Sequence, residues 1–158
     1  MRKILSLCTM FLISFNYIFA QSQVFDNLKM DSEILNMERK YSIYLPPDYE
    51  ISSRSYPVLY LLHGLGDDHT GWVQFGEVKK IADESIINGD ATPMIIVMPD
   101  ANTGYVGYIN IPSENWLYED FFFNELMPYV ESKYRIKSEK RFRAISGLSM
   151  GCLLYTSP

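Results

Sequence analysis

The chain has 158 residues, 47% apolar and 21% charged, a balance that excludes a disordered segment and suits a globular unit with its own core. A net charge of −5 gives no footing for nucleic acid or for an anionic membrane surface. Aromatics reach 15%, with twelve Tyr and nine Phe, expected mostly in the core with some ring-lined surface.

The first twenty residues read as a secretory signal. Arg2 and Lys3 form a positive n-region, Ile4 to Phe19 is apolar with small polar breaks, and Ala20 offers a small residue before Gln21. Ile18 is larger than the ideal −3 residue, so the cut is less sharply specified than the signal. A membrane anchor is the competing reading, but the run falls short of the ~20 uninterrupted apolar residues that a span prefers. The expectation is removal of residues 1–20 and a soluble product, periplasmic or extracellular. Cys8 leaves with the signal and Cys152 has no partner, so no disulfide framework is expected although the compartment would permit one.

Gln21 to Asn36 is polar and mixed, a lead-in with weak structure. Arg39 to Leu45 alternates, with Tyr41, Ile43 and Leu45 on one face and Lys40, Ser42 and Tyr44 on the other, which predicts a half-buried antiparallel strand near an edge. Pro46-Pro47-Asp48 stops it. Pro57 to Leu62 is apolar on both faces, as in a central parallel strand covered by helices. A glycine-rich loop, His63 to Asp68, leaves its C-terminal end. Trp72 to Asn88 carries Phe75, Val78, Ala82 and Ile86 at helical spacing and closes at Asn88-Gly89. Met94 to Met98 is a second buried strand. The Gly/Asn/Tyr-rich loop Ala101 to Pro112 follows, at the strand end where α/β folds keep ligands. Glu119 to Tyr134 predicts a helix with Phe122, Phe123, Leu126, Met127, Val130 and Tyr134 on its apolar stripe and a kink at Pro128, which lacks an N–H. After a basic turn, Ser138 to Arg141, comes the strand-like run Phe142 to Ile145. Strand followed by repeated strand–helix units is the pattern of an α/β domain with a mainly parallel sheet and helices on both faces.

That last strand leads into Gly147-Leu148-Ser149-Met150-Gly151, a G-x-S-x-G nucleophile-elbow pattern. There a serine sits on a tight strand-to-helix turn, and side chains two residues either side would collide with neighbouring backbone. Alone, the pattern also fits an ordinary Ser/Gly turn. The stretch Tyr60-Leu61-Leu62-His63-Gly64-Leu65-Gly66 adds the strand end that supplies the other half of an oxyanion hole. The expected donors are the backbone N–H groups of Leu65 and Met150, with Ser149 as nucleophile. A serine hydroxyl needs an imidazole base and an orienting carboxylate, and in this fold both follow the serine in the chain. His63 is expected to pack or hydrogen-bond at its strand end, and His69, beside Asp67 and Asp68, to sit in a solvated acidic loop and not at a metal site. No metal or cofactor is expected.

The chain resembles the esterase D / feruloyl-esterase-like group of the α/β-hydrolase superfamily. The resemblance rests on Tyr41-Ser42-Ile43-Tyr44-Leu45-Pro46-Pro47-Asp48-Tyr49, Tyr56 to Gly64, Val97-Met98-Pro99-Asp100, Tyr118-Glu119-Asp120-Phe121, Glu125 to Tyr129 and Gly147 to Gly151, in family order. It implies Ser149 as nucleophile, Leu65 and Met150 as oxyanion donors, and ester hydrolysis through an acyl-enzyme. No position matches the family's acid or histidine. With export, it implies an ester-bearing small molecule or polysaccharide as partner, through acetyl or feruloyl groups. Trp116, Tyr118 and Tyr105 are candidate lining residues for a sugar or aromatic acid, or ordinary core and surface aromatics. The same elbow also serves acyltransferases, and a degenerate hydrolase fold can serve as a non-catalytic binding domain.

Residues 21–151 are accordingly expected to be the N-terminal part of one α/β-hydrolase domain, short of the ~200–250 residues common for such domains. Residues 152–158, Cys-Leu-Leu-Tyr-Thr-Ser-Pro, resemble the in-frame translation of a sequencing adapter and are expected to be non-native. The piece by itself is expected to be inactive.

Overall fold

A computed structural model of the chain describes residues 21–101 and 107–156; the expected signal, 1–20, and Tyr105 lie outside them. A five-stranded sheet has the order β1-β2-β4-β3-β7. β1 is Gln23–Ser32, β2 Met37–Leu45, β3 Val58–Leu62, β4 Ile95–Pro99 and β7 Arg143–Gly147, while β5, Asn110–Ile111, and β6, Trp116–Leu117, form a small separate hairpin. β3 runs parallel to both β4 and β7, and β2 runs antiparallel to β1 and β4. This is the expected α/β architecture with the Val58–Leu62 run at the centre of the parallel part.

The strands alternate between two covered faces, as period-2 geometry requires. Tyr41, Ile43, Val58, Tyr60, Leu62, Ile95 and Val97 pack with Phe121, Phe122, Leu126 and Val130. Tyr44, Ile96 and Met98, with Leu59 and Leu61, pack with Val78, Ala82 and Ile86.

The lead-in is more structured than its composition predicts. β1 pairs with β2 from Gln23↔Leu45 to Ser32↔Met37, with an irregularity between Phe25 and Leu28. An edge strand takes its conformation from its partner's hydrogen bonds, and the Asp26, Lys29 and Asp31 that blur its pattern suit an edge that must resist further pairing. β2 is consequently second from the edge, and both its faces are closed. Ser42 and Tyr44 are fully buried, and the Tyr44 hydroxyl donates to Asp83 Oδ1 of the covering helix at 2.8 Å.

The single helix predicted over Trp72–Asn88 is two: α1, Gly71–Gln74, and α2, Val78–Ile87. Glu77 has a φ of +47°, and a Cβ on Gly76 would come within 2.6 Å of the Trp72 ring. The break turns Phe75 out of the expected stripe, and it is 81% exposed.

Over residues 118–133 the helix is continuous but not regular: α3, Tyr118–Phe121, a π-turn, Phe122–Leu126, and α4, Met127–Lys133. The expected distortion lies one turn before Pro128. The Met127 N–H bonds Phe122 O, five residues back, which widens the turn where Pro128 cannot donate. The extra residue moves Phe123 to the exposed side and leaves Phe122, Leu126 and Val130 inward.

Candidate active site

β3 and β7 are paired through Leu62↔Gly147, so both chains leave the sheet side by side at the same edge. The Leu148 N–H still donates to Leu62 O at 3.1 Å. Ser149 then takes a φ of +51°, a left-handed conformation that costs a non-glycine residue about 1–3 kcal/mol. One 3₁₀ turn, Ser149–Cys152, and a short helix α5, Leu153–Thr156, follow. Leu154, in the segment expected to be non-native, packs into the core at 6% exposure.

Both elbow glycines are sterically required. A Cβ on Gly147 would stand 2.8 Å from Leu62 O, and one on Gly151 would stand 2.7 Å from Leu62 Cβ and 2.9 Å from Leu62 O. The elbow is thus pressed onto the end of β3. Met150 lies in the first turn after Ser149, where amides have no partner within the helix.

The facing loop is fixed by His63, which is 1% exposed. The Ala101 N–H donates to Nε2 at 2.9 Å, so Nε2 must carry a lone pair. The proton is then on Nδ1, which donates to Gly64 O at 2.8 Å. With that tautomer the 3.8 Å approach of Nε2 to Asp100 Oδ1 is not a charged pair. His63 is a strand-end clamp, as the sequence suggested, with both ring nitrogens engaged. Its own N–H donates to the Tyr108 hydroxyl at 2.9 Å. Gly107, at φ +56°, presses on Met150, since a Cβ there would lie 2.4 Å from the Met150 sulfur. The Gly107–Tyr108 segment therefore touches both the elbow and the His63 loop. Its aromatic and glycine composition marked it as a candidate ligand loop; its clamping role had no sequence signal.

Leu65, Ser149, Met150 and Leu153 line one pocket of about 360 Å³. The structure brings together the expected nucleophile and the two residues expected to offer amides. Trp116 and Tyr118 are elsewhere. They are 2% and 0% exposed, with Trp116 Nε1 donating to Gly107 O and the Tyr118 hydroxyl to Asp100 O, each at 2.8 Å. The buried Arg39 guanidinium lies 5.8 Å from each ring. They form the floor under the loop, not the wall of this pocket.

Within the Asp67-Asp68-His69 trio, His69 Nδ1 lies 3.8 Å from Asp68 Oδ1. Asp68 Oδ1 accepts from both the N–H and the hydroxyl of Thr70 at 2.7 Å. His69 is 6% exposed, contrary to the solvated loop expected, and burial pushes its pKa below the ordinary value. Among the described residues no group of three potential ligands is placed to hold a metal.

A sheet in which the parallel neighbours β3 and β7 end in a glycine-rich loop and a glycine-pinned serine elbow defines the α/β-hydrolase class. The chain belongs to the Esterase family, described as "Putative esterase", whose model matches residues 32–154. An esterase of Mycobacterium tuberculosis is 36% identical over 114 residues, covering 70% of this chain and 23% of that protein. An endo-1,4-beta-xylanase/feruloyl esterase of Xylanibacter ruminicola is 33% identical over 129 residues, covering 76% of this chain and 17% of that protein. The solved structure of a ferulic acid esterase superposes with a TM-score of 0.79 at 40% identity, covering 84% of this chain and 52% of that one. The chain thus spans about half of that structure and less than a quarter of these curated relatives.

Proposed function

We propose that the complete protein is an exported serine carboxylic-ester hydrolase acting on acetyl or feruloyl esters of plant polysaccharide. Ser149 Oγ attacks the ester carbonyl carbon, and the resulting oxyanion accepts hydrogen bonds from the Leu65 and Met150 amides. The bond to the alcohol oxygen breaks as that oxygen takes, by way of the base, the proton that the Ser149 hydroxyl gave up, leaving Ser149 acylated. Water then displaces the acyl group as a carboxylic acid. The base is neither described histidine: His63 has both nitrogens committed, and neither His63 nor His69 lines the Ser149 pocket. The acid and histidine are assigned to sequence following Gly151 in the complete protein, with residues 152–158 non-native.

The observation that carries this reading is Ser149 held at a φ of +51° in one pocket with Leu65 and Met150. The feruloyl and ferulic acid esterases among its relatives support the acyl group, and the xylanase partnered with one of them supports the polysaccharide. Brief mixing of the full-length protein with an aryl ester, an acid quench and peptide mass spectrometry should find the acyl adduct on the peptide carrying Ser149. An adduct on another residue would reject the assignment.

A further inference from the structure

A second cleft, of about 220 Å³, adjoins the elbow and is lined by His63, Gly64, Asp67, Trp72, Phe75 and Leu148 among others. It and the Ser149 pocket are lined by consecutive residues on both loops, Gly64 and Leu65 on one and Leu148 and Ser149 on the other. The cleft differs in chemistry from the Ser149 pocket, whose other walls before the non-native segment are Leu65 and Met150. Here there is a carboxylate, an indole and a displayed aromatic ring.

Phe75 is the most exposed large apolar residue described, at 81%. It is presented by the break between α1 and α2, where Gly76 is pinned against Trp72 and Glu77 is left-handed. The break thus leaves the Phe75 ring exposed among the described residues. Asp67 is held as firmly. Its Oδ1 accepts the Asp68 N–H at 2.9 Å, and its carboxylate lies so close over Gly71 that a Cβ there would come within 1.9 Å of Oδ2. An ionised carboxylate offers about four acceptor sites, so capacity remains for ligand hydroxyls. The Trp72 indole lines the cleft with Asp67 and Phe75.

We propose that this cleft is the subsite for the sugar ring on the alcohol side of the ester, an inference that rests on the esterase reading of Ser149. Sugars offer apolar C–H faces that stack on an exposed ring and hydroxyls that donate to carboxylates. The volume is below the ~300–1,000 Å³ of pockets that enclose drug-sized ligands, which suits one ring and not an oligosaccharide. The acyl group, with fewer hydroxyls, takes the leucine- and methionine-walled pocket. Sugar binding here is remote binding energy directed to placing the carbonyl at Ser149.

The test uses the full-length protein and two substrates with the same acyl group: methyl ferulate, and a feruloyl ester of an arabinoxylo-oligosaccharide. Phe75→Ala, a change at an exposed site, should lower the ratio of kcat/KM for the sugar ester to that for methyl ferulate by about tenfold, near 1.4 kcal/mol. Asp67→Asn, nearly isosteric, should lower the same ratio several-fold. An unchanged ratio in both variants overturns the subsite, including the case in which both esters lose equally because the cleft holds the acyl group. If the unmodified protein hydrolyses neither ester, the feruloyl reading fails and the subsite falls with it, while the acyl adduct on Ser149 tests the esterase reading separately.

Discussion

Gly147, Leu148 and Gly151 hold Ser149 as one unit because all three meet the same partner, the end of β3 at Leu62. The obstacles around Gly151 are Leu62 Cβ, Leu62 O and, at 3.1 Å, His63 O. Two of these are backbone oxygens, one at the last residue of β3 and one just past it, which cannot step aside as a side-chain tip can. Gly151→Ala should therefore cost about 1–3 kcal/mol of stability and displace the Met150 amide. Denaturant unfolding of the full-length protein measures the first effect and ester turnover the second; an unaltered midpoint with full turnover would contradict the packing described. His69 gives a pH-dependent counterpart. Burial lowers its folded pKa below the ordinary 6.5, so the unfolded chain binds the proton first. Stability is then full above about pH 6.5 and declines as pH falls from there through the folded value. His69→Gln should flatten the fall in melting temperature just below pH 6.5, before the carboxylates titrate. A slope identical to that of the unmodified protein would show that another group sets it.

At the scale of elements, legibility follows how local the cause is. The Val58–Leu62 and Ile95–Pro99 strands were readable because burial on both faces leaves a continuous apolar run, and the elbow because its two glycines flank the serine at a fixed spacing, although the atoms they must clear belong to Leu62 and His63, far off in the chain. β1 was not readable: its order comes from pairing with β2, and its own side chains are mixed. The burial of Ser42 and Tyr44 depends on α2, which is distant in sequence. The break at Gly76 depends on where the Trp72 ring lies, and the outward turn of Phe123 on a π-turn that anticipates Pro128. Trp116 and Tyr118 show the same limit at the site. Their composition fits a ligand wall or a core equally, and their hydrogen bonds to Gly107 and Asp100 make them the floor that supports the loop.

Across the whole molecule, two covered sheet faces bring two loops to one edge, one from the end of β3 and one from the end of β7. Their distance in sequence, from Leu65 to Met150, is what the parallel pairing of β3 with β7 removes. Among the described residues no helix is long and apolar enough to cross a membrane. Everything proposed about chemistry depends on Ser149 being the attacking group at that edge. The most direct measurement is steady-state hydrolysis of methyl ferulate by the full-length protein and its Ser149→Ala variant, with folding of both verified by circular dichroism. The account predicts that kcat/KM falls by at least about 10³-fold with an unchanged fold, and turnover within a few-fold of the unmodified protein would contradict it.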